Sequence, residues 1–176
     1  MNAPITRPAD LPADLLAQLT QLLGDARVKT DHDSRMNWGK DWTKHFEPNP
    51  SVVVFPKTTE EVQAIVQLAN QFGTVITPSG GRTGLSAGAV AANGEIVLSM
   101  DKMNQIIEFL PADRLVRLQA GVVTEQLQQF AEDKGLYYPV DFASAGSSQI
   151  GGNIGTNAGG IKVIKYGMTR QWVLGM

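Results

Sequence analysis

The spacing of apolar positions changes along the chain, and the changes mark its elements. Leu15, Leu19 and Leu22 recur at helical spacing, with Leu16 and Leu23 widening the stripe. A helix is therefore expected from about Pro12 to Leu23, stopped by Gly24. Residues 1–10, proline-bearing and polar, read as a loose arm. Residues 25–50 mix charge and aromatics without a period and read as an irregular connector holding about one helical turn, closed by Pro48 and Pro50. The run Val52–Phe55 is a short β-branched strand ended by Pro56. Thr58 offers an N-cap and Glu61 its capping-box partner, and Val62, Ile65, Val66 and Ala69 form the stripe of a helix that Gly73 stops. Thr74–Thr77 is the next strand, completing a β-α-β unit whose connection should be right-handed.

Glu95–Met100 reads as a strand, and Gln105–Leu110 and Leu115–Ala120 as two more around the turn 111–114. Leu118 and Ala120 alternate with Arg117 and Gln119, as in a half-exposed sheet. Thr124 is placed to cap a helix to about Asp133, with Leu127, Phe130 and Ala131 inward and Gly135 as the stop. Leu136–Val140 reads as a short strand, Tyr166-Gly167 as a turn, and Gln171–Met176 as the start of a strand. That last apolar run has no closing element, so the chain reads as a fragment of a longer protein.

Two stretches follow neither period: PSGGRTGLSAGAV (78–90) and SSQIGGNIGTNAGG (147–160), the second with five glycines. Such a composition is not expected to build a core element, because glycine packs nothing and costs backbone entropy. It can turn many backbone N–H groups toward an anion. The first stretch has neither G-x-x-x-x-G-K-[ST] nor a helix-opening G-x-G-x-x-G, so the common nucleotide fingerprints do not apply. Gly80, Gly81 and Gly84 free the backbone to form a nest, Ser79, Thr83 and Ser86 add hydroxyls, and Arg82 is the sole charge between 78 and 94. A surface loop that needs glycine only for its turns fits the same composition. In the second stretch no side chain ionises between Phe142 and Ile161. A segment pressed against an anion and a flat ring would show this; so would a tightly packed glycine crossing. Ser147, Ser148, Asn153, Thr156 and Asn157 supply small donors there. Read together, the two stretches hold one extended, phosphate-containing cofactor.

The totals narrow the field. A chain of 176 residues is one domain or two small ones, and 43% hydrophobic residues suffice for a core. A net charge of −2, with no nucleic-acid motif, gives no polyanion-binding character. The absence of cysteine excludes disulfides, thiolate metal sites, iron–sulfur ligation and cysteine nucleophiles. Asp31, His32 and Asp33 look metal-like but lack further ligands and read as a solvated connector, so no metal is expected. Trp38 and Trp42, four apart, are expected to cover the core, with a flavin or substrate as the alternative. Lys162, Lys165 and Arg170 form a small basic group, near a phosphate or on a solvated face. There is no signal-peptide pattern, no run of membrane-spanning length and no catalytic triad or carboxylate pair; a cytoplasmic protein is expected.

PSGGRTGLSAGAV followed by GSSQIGGNIGTNAGG and KYG resembles the FAD-binding domain of the FAD-linked oxidase family, the vanillyl-alcohol-oxidase or PCMH-type flavoproteins, over about residues 47–176. FPKTTEEV, DKMNQIIEF and YPVDFASAG bring the likeness nearest to the D-2-hydroxyacid dehydrogenases, of the hydroxyglutarate, lactate and glycolate-oxidase types. The resemblance implies an α+β fold of two subdomains, about 47–100 and from about 101, the second truncated, after an arm and helix over 1–46. It implies FAD held at its diphosphate by Pro78, Ser79, Gly80, Gly81, Arg82, Thr83, Gly84 and Leu85. Gly146, Ser147, Ser148, Ile150, Gly151, Gly152, Asn153, Gly155, Thr156, Asn157, Gly159 and Gly160 would line the flavin and its ribityl-diphosphate chain. Some relatives attach FAD covalently through a histidine where Arg82 stands, so Arg82 implies non-covalent FAD.

The implied reaction is oxidation of a D-2-hydroxyacid to the 2-oxoacid, with hydride passing to flavin N5 and electrons leaving to a quinone, cytochrome or flavoprotein. The substrate-binding and catalytic groups of the family lie in a cap domain, here C-terminal to Met176, so no catalytic residue is assigned and the chain alone is expected to be inactive. Two alternatives stand beside this: a non-enzymatic binding or assembly remnant of the fold, and another FAD-linked oxidase on the same scaffold. The NAGG…KYG ending fits the hydroxyacid group better than the latter.

Overall fold

Leucines at helical spacing form the first element as expected: helix α1 (Ala13–Leu23) buries Leu15, Leu19 and Leu23 and ends at Gly24, φ 81°. The structure, a computed structural model, describes residues 11–176, so the arm expected over 1–10 lies outside the described residues. The chain forms two units that divide between Lys102 and Met103.

The first unit continues with strand β1 (Val28–Lys29), helix α2 (His32–Trp38), strand β2 (Val52–Val54), helix α3 (Thr59–Phe72), strand β3 (Ile76–Ser79) and strand β4 (Ile96–Ser99). Its sheet runs β1-β2-β4-β3. β4 is parallel to both neighbours, and β1 is antiparallel to β2. β2 is apolar throughout and β4 is apolar up to its last residue, Ser99, because both of their faces are covered. Val52, Val54, Ile96 and Leu98 meet Leu15, Leu19, Ile65 and Ala69 of α1 and α3. Val53, Phe55 and Val97 point the other way, to Ala91 and Trp38.

The expected β-α-β unit forms, with β2 and β3 both parallel to β4, which inserts between them. Two expectations for this unit are corrected. The strand expected at 74–77 begins at Ile76 and runs through Pro78 and Ser79, leaving Val75 65% exposed. Pro78 is tolerated because β3 is an edge strand, where a missing N–H breaks no ladder. The connector 25–50 contains β1 and a seven-residue helix, α2. Its cap is Asp31, whose Oδ1 accepts the Ser34 N–H at 2.9 Å.

α3 is capped by Thr58, whose Oγ1 accepts the Glu61 N–H at 3.2 Å. Of its stripe, Ile65 and Ala69 are buried, Val62 is half-buried and Val66 is exposed. The Glu61 carboxylate pairs with Arg27 at 2.6 Å and accepts the Lys57 N–H at 2.7 Å. The Arg27 guanidinium, helped by the Lys57 amide, holds the Glu61 carboxyl below its ordinary range. A carboxyl lowered by folding stabilises fully above its unfolded pKa and loses that contribution as pH falls through the folded one. Urea unfolding of the wild type should therefore weaken below about pH 4.5 more steeply than that of Glu61→Gln. Identical slopes in the two proteins would refute the role of this pair.

The second unit opens with a hairpin of β5 (Ile106–Leu110) and β6 (Leu115–Leu118), irregular in register between Ile106 and Glu108. Helices α4 (Thr124–Asp133), α5 (Ile150–Thr156) and α6 (Val163–Tyr166) follow, then a 3-10 turn over Thr169–Trp172. Val122, Leu127 and Ile150 form its core, with Ile106, Val116, Leu118, Tyr138 and Ile154 around them. No strand forms at 136–140 or at 171–176. The stretch not expected to build a core element supplies one: α5 lies within 147–160 and buries Ile150 and Asn153.

Candidate functional site

In the first unit the chain leaves β3 into the glycine-rich loop. Among the described residues, no backbone N–H from Gly80 to Ser86 finds an acceptor. The loop is held from behind by the segment after α2. Ser79 Oγ donates to the Trp38 carbonyl at 3.2 Å, Trp42 N–H to the Gly84 carbonyl at 3.0 Å, and Ala91 N–H to the Gly39 carbonyl at 2.8 Å. From the loop side these bonds use the Ser79 hydroxyl, the Gly84 carbonyl and the Ala91 amide, and they leave the amides of 80–86 free for an anion.

Arg82 takes a left-handed backbone, φ 58°, at a cost of about 1 kcal/mol for a residue with a Cβ. Its guanidinium lies 5.6 Å from the centre of the Trp38 ring and 3.4 Å from Asp101, and donates to the Gly80 carbonyl at 2.9 Å. Trp38 Nε1 also donates to Asp101, at 2.7 Å. The positive balance read into this loop is thus largely spent within the unit, and the free amides carry its attraction for an anion. Trp38 packs on Phe55 edge-on, as a core residue should. Trp42 does not cover the core: it is 72% exposed. Pro78, Gly84 and Leu85 are exposed as well, while Gly80, Gly81, Arg82 and Thr83 are half-buried and Ser79 is buried.

The same segment contributes a residue that sequence reasoning missed. Asp41 is buried, and its Oδ1 accepts both the Thr43 N–H at 2.8 Å and the Thr43 hydroxyl at 2.7 Å. Its Oδ2 is buried without a partner among the described residues and faces Gly84. An aspartate between a lysine and a tryptophan carries no local signal of burial.

In the second unit the glycine-rich segment divides into packed and open positions. Thr124 is the first residue of α4 rather than its cap, and it is fully buried. Its hydroxyl lies 2.7 Å from Ser148 Oγ and accepts from Asn153 Nδ2 at 2.7 Å. Ser148 and Asn153 therefore hold the segment in place. The first amides of α5 are also engaged, Ile150 N–H with the Val122 carbonyl at 2.9 Å and Gly151 N–H with the Ala120 carbonyl at 2.8 Å. A Cβ on Gly151 would lie 2.7 Å from that of Ala120. Gly146, Ser147, Gly152, Gly155, Thr156 and Gly160 are exposed. Asn157 closes α5 at φ 50°, its Oδ1 accepting the Arg170 N–H, and a Cβ on Gly159 would press on Val163. Thr124→Val keeps the shape but strands two buried polar groups; thermal melting should report a loss of about 2–3 kcal/mol. A neutral result would mean that the Thr124–Ser148–Asn153 cluster does not hold α5.

The basic group after this segment is partly neutralised. Lys162 Nζ lies 2.8 Å from the Asp141 carboxylate and 2.7 Å from the Tyr137 hydroxyl, and Asp141, then Tyr137, hold the ammonium above its ordinary pKa. Lys165 and Arg170 are exposed.

The family described as FAD binding domain matches residues 50–176. The chain belongs to the FAD-binding domain family. It is 69% identical over 162 residues to the D-2-hydroxyglutarate dehydrogenase of Stutzerimonas stutzeri (strain A1501), covering 92% of this chain and 35% of that protein. The FAD-binding domain superposes on alkyldihydroxyacetonephosphate synthase with a TM-score of 0.84 at 21% identity, over 97% of this chain and 34% of that one. It superposes on p-cresol methylhydroxylase with a TM-score of 0.70 at 24% identity, over 86% of this chain and 31% of that one. The fold is thus the α+β, PCMH-type FAD-binding fold, and the chain spans about a third of the length of the curated relatives it matches. The free amides after β3 and the orphaned Asp41 oxygen beside them fit a ligand with an anionic diphosphate and neighbouring hydrogen-bond donors, as FAD has. Among the described residues no helix of this domain is long and apolar enough to cross a membrane.

Proposed function

We propose that this FAD-binding domain is the cofactor module of a flavin-dependent oxidoreductase that oxidises a D-2-hydroxyacid to the 2-oxoacid, with D-2-hydroxyglutarate the first substrate to test. The run of unpartnered amides from Gly80 to Ser86 carries the cofactor half of this reading, since an oxyanion is what such a row lacks. The 69% identity to a D-2-hydroxyglutarate dehydrogenase supports the substrate half.

In this reading residues 78–85 take the FAD diphosphate, and 146–160 lie along the flavin and its ribityl chain. Gly152 and Gly155 suit the latter, because a Cβ on either would meet nothing and their bare backbone lets a flat ring come close. FAD, when bound, supplies the hydride acceptor. The chain binds and orients it, and Ser148, Ile150, Asn153 and Gly151 keep the segment rigid from inside. FAD is held without a covalent bond: Arg82 is no nucleophile, and its guanidinium is paired with Asp101. The groups that bind and deprotonate the hydroxyacid lie outside these residues, so this chain alone turns over nothing. The electron acceptor is a quinone, cytochrome or flavoprotein, and the enzyme works in the cytoplasm.

The full-length protein should purify yellow and release its flavin to the supernatant on acid precipitation. Anaerobic D-2-hydroxyglutarate should bleach the flavin faster than D-lactate or glycolate. Colourless protein would overturn the cofactor assignment, flavin retained in the precipitate the non-covalent one, and no bleaching by any of the three acids the substrate class.

A further inference from the structure

Asp41 is 7% exposed, and only one of its two carboxylate oxygens is satisfied. Oδ1 closes a turn with Thr43, while Oδ2 points at the glycine-rich loop, 3.6 Å from where a Cβ on Gly84 would stand. The Trp42 N–H beside it pins the Gly84 carbonyl at 3.0 Å, so the carboxylate and the loop are held in one arrangement. Among the described residues it makes no ion pair, and the loop's one cationic side chain, Arg82, is paired with Asp101 and stacked on Trp38. Nor do the free amides of 80–86 reach it, although it lies beside them. A buried carboxylate oxygen with neither cation nor hydrogen bond is costly to keep. It lacks a donor, and it lacks one at the wall of the proposed diphosphate loop.

We propose that Asp41 is a cofactor-binding residue whose Oδ2 accepts a hydrogen bond from a sugar hydroxyl of the dinucleotide next to its diphosphate. This rests on the FAD reading above. The chemistry selects the hydroxyl. A phosphate oxygen would be repelled by the carboxylate. The adenine amine and the flavin N3–H sit at the two far ends of FAD. The groups that flank the diphosphate are the adenosine ribose on one side and the ribityl chain on the other, and both present hydroxyl donors. A carboxylate accepting from a nucleotide hydroxyl is a strong, charge-assisted bond. Asp41 thereby complements the amide row: the amides take the negative part of the ligand, and the carboxylate takes the donors beside it.

The test is Asp41→Asn in the full-length protein stripped of flavin, titrated with FAD and FMN by flavin fluorescence and with ADP by calorimetry. Asparagine preserves the shape and can still accept from Thr43, but presents an amide donor or a neutral acceptor to the ligand. FAD affinity should fall about 10-fold or more, while the melting temperature of the flavin-free protein holds or rises, because an unpaired buried charge has been removed. A parallel loss for ADP assigns the bond to the adenosine ribose, and a parallel loss for FMN assigns it to the ribityl chain. Unchanged FAD affinity overturns the proposal, as does an affinity loss that comes with a lower flavin-free melting temperature, which is the mark of a merely structural carboxylate. Wild-type protein with no affinity for FAD would instead overturn the FAD reading itself.

Discussion

Gly160→Ala lowers the stability of the second unit by about 3–5 kcal/mol, the largest effect expected of any single methyl group in this chain. Gly160 sits at φ 119°, a conformation that side chains rarely adopt, and its Cβ would overlap the Asp141 carbonyl oxygen. That oxygen cannot yield, because it is backbone and already accepts the Ile161 N–H at 3.2 Å. Asp141 is fixed further by its carboxylate, which holds Lys162. Strain and overlap therefore add. Gly152→Ala is the control: its Cβ would meet nothing and it lies within α5, so it should be neutral or gain about 0.5–1 kcal/mol from helix propensity. Urea unfolding of both variants measures the contrast, and equal stabilities would show that the close approach at Gly160 is not real.

Leu85→Asp weakens FAD binding by about 100-fold without unfolding the protein. The effect corresponds to ~3 kcal/mol, the scale of repulsion between like charges a few ångströms apart at a protein surface. Leu85 is 74% exposed, so the substitution should change the stability of the flavin-free protein by less than about 0.5 kcal/mol. Its new carboxylate would stand in the row of amides from Gly80 to Ser86 and compete with the diphosphate for them. Flavin-fluorescence titration of the stripped full-length protein reads the affinity. If the affinity is unchanged, the diphosphate does not bind along this loop.

Local patterns were enough for the elements whose reasons are local. The leucine stripe and Gly24 delimit α1 within a residue, and Thr58, Glu61 and Gly73 delimit α3, because caps and stops act through hydrogen bonds a few residues away. The β5–β6 hairpin was legible for the same reason. α2 was read only as about one helical turn, although Asp31 and Ser34 form an ordinary N-cap, since the charged and aromatic residues of 25–50 show no period. The expected strands at 136–140 and 171–176 have strand-like composition but find no pairing partner among the described residues, and composition does not supply one.

By itself the sequence determined where both glycine-rich segments lie, their lack of competing carboxylates and their likeness to an FAD-binding domain, because each of these is a matter of which residues are present. Only the tertiary structure decided what each residue of those segments does. Gly151 and Gly160 are glycines because the Ala120 methyl and carbonyl and the Asp141 carbonyl press on them, whereas Gly152 and Gly155 face open space. Ser148 and Asn153, read as donors to a ligand, turn inward to Thr124, a partner 24 and 29 residues away. Asp41 acquires its meaning only where a loop 43 residues further on brings Gly84 against it. Burial and close approach depend on chain segments distant in sequence, so no local pattern of residue types could have assigned them.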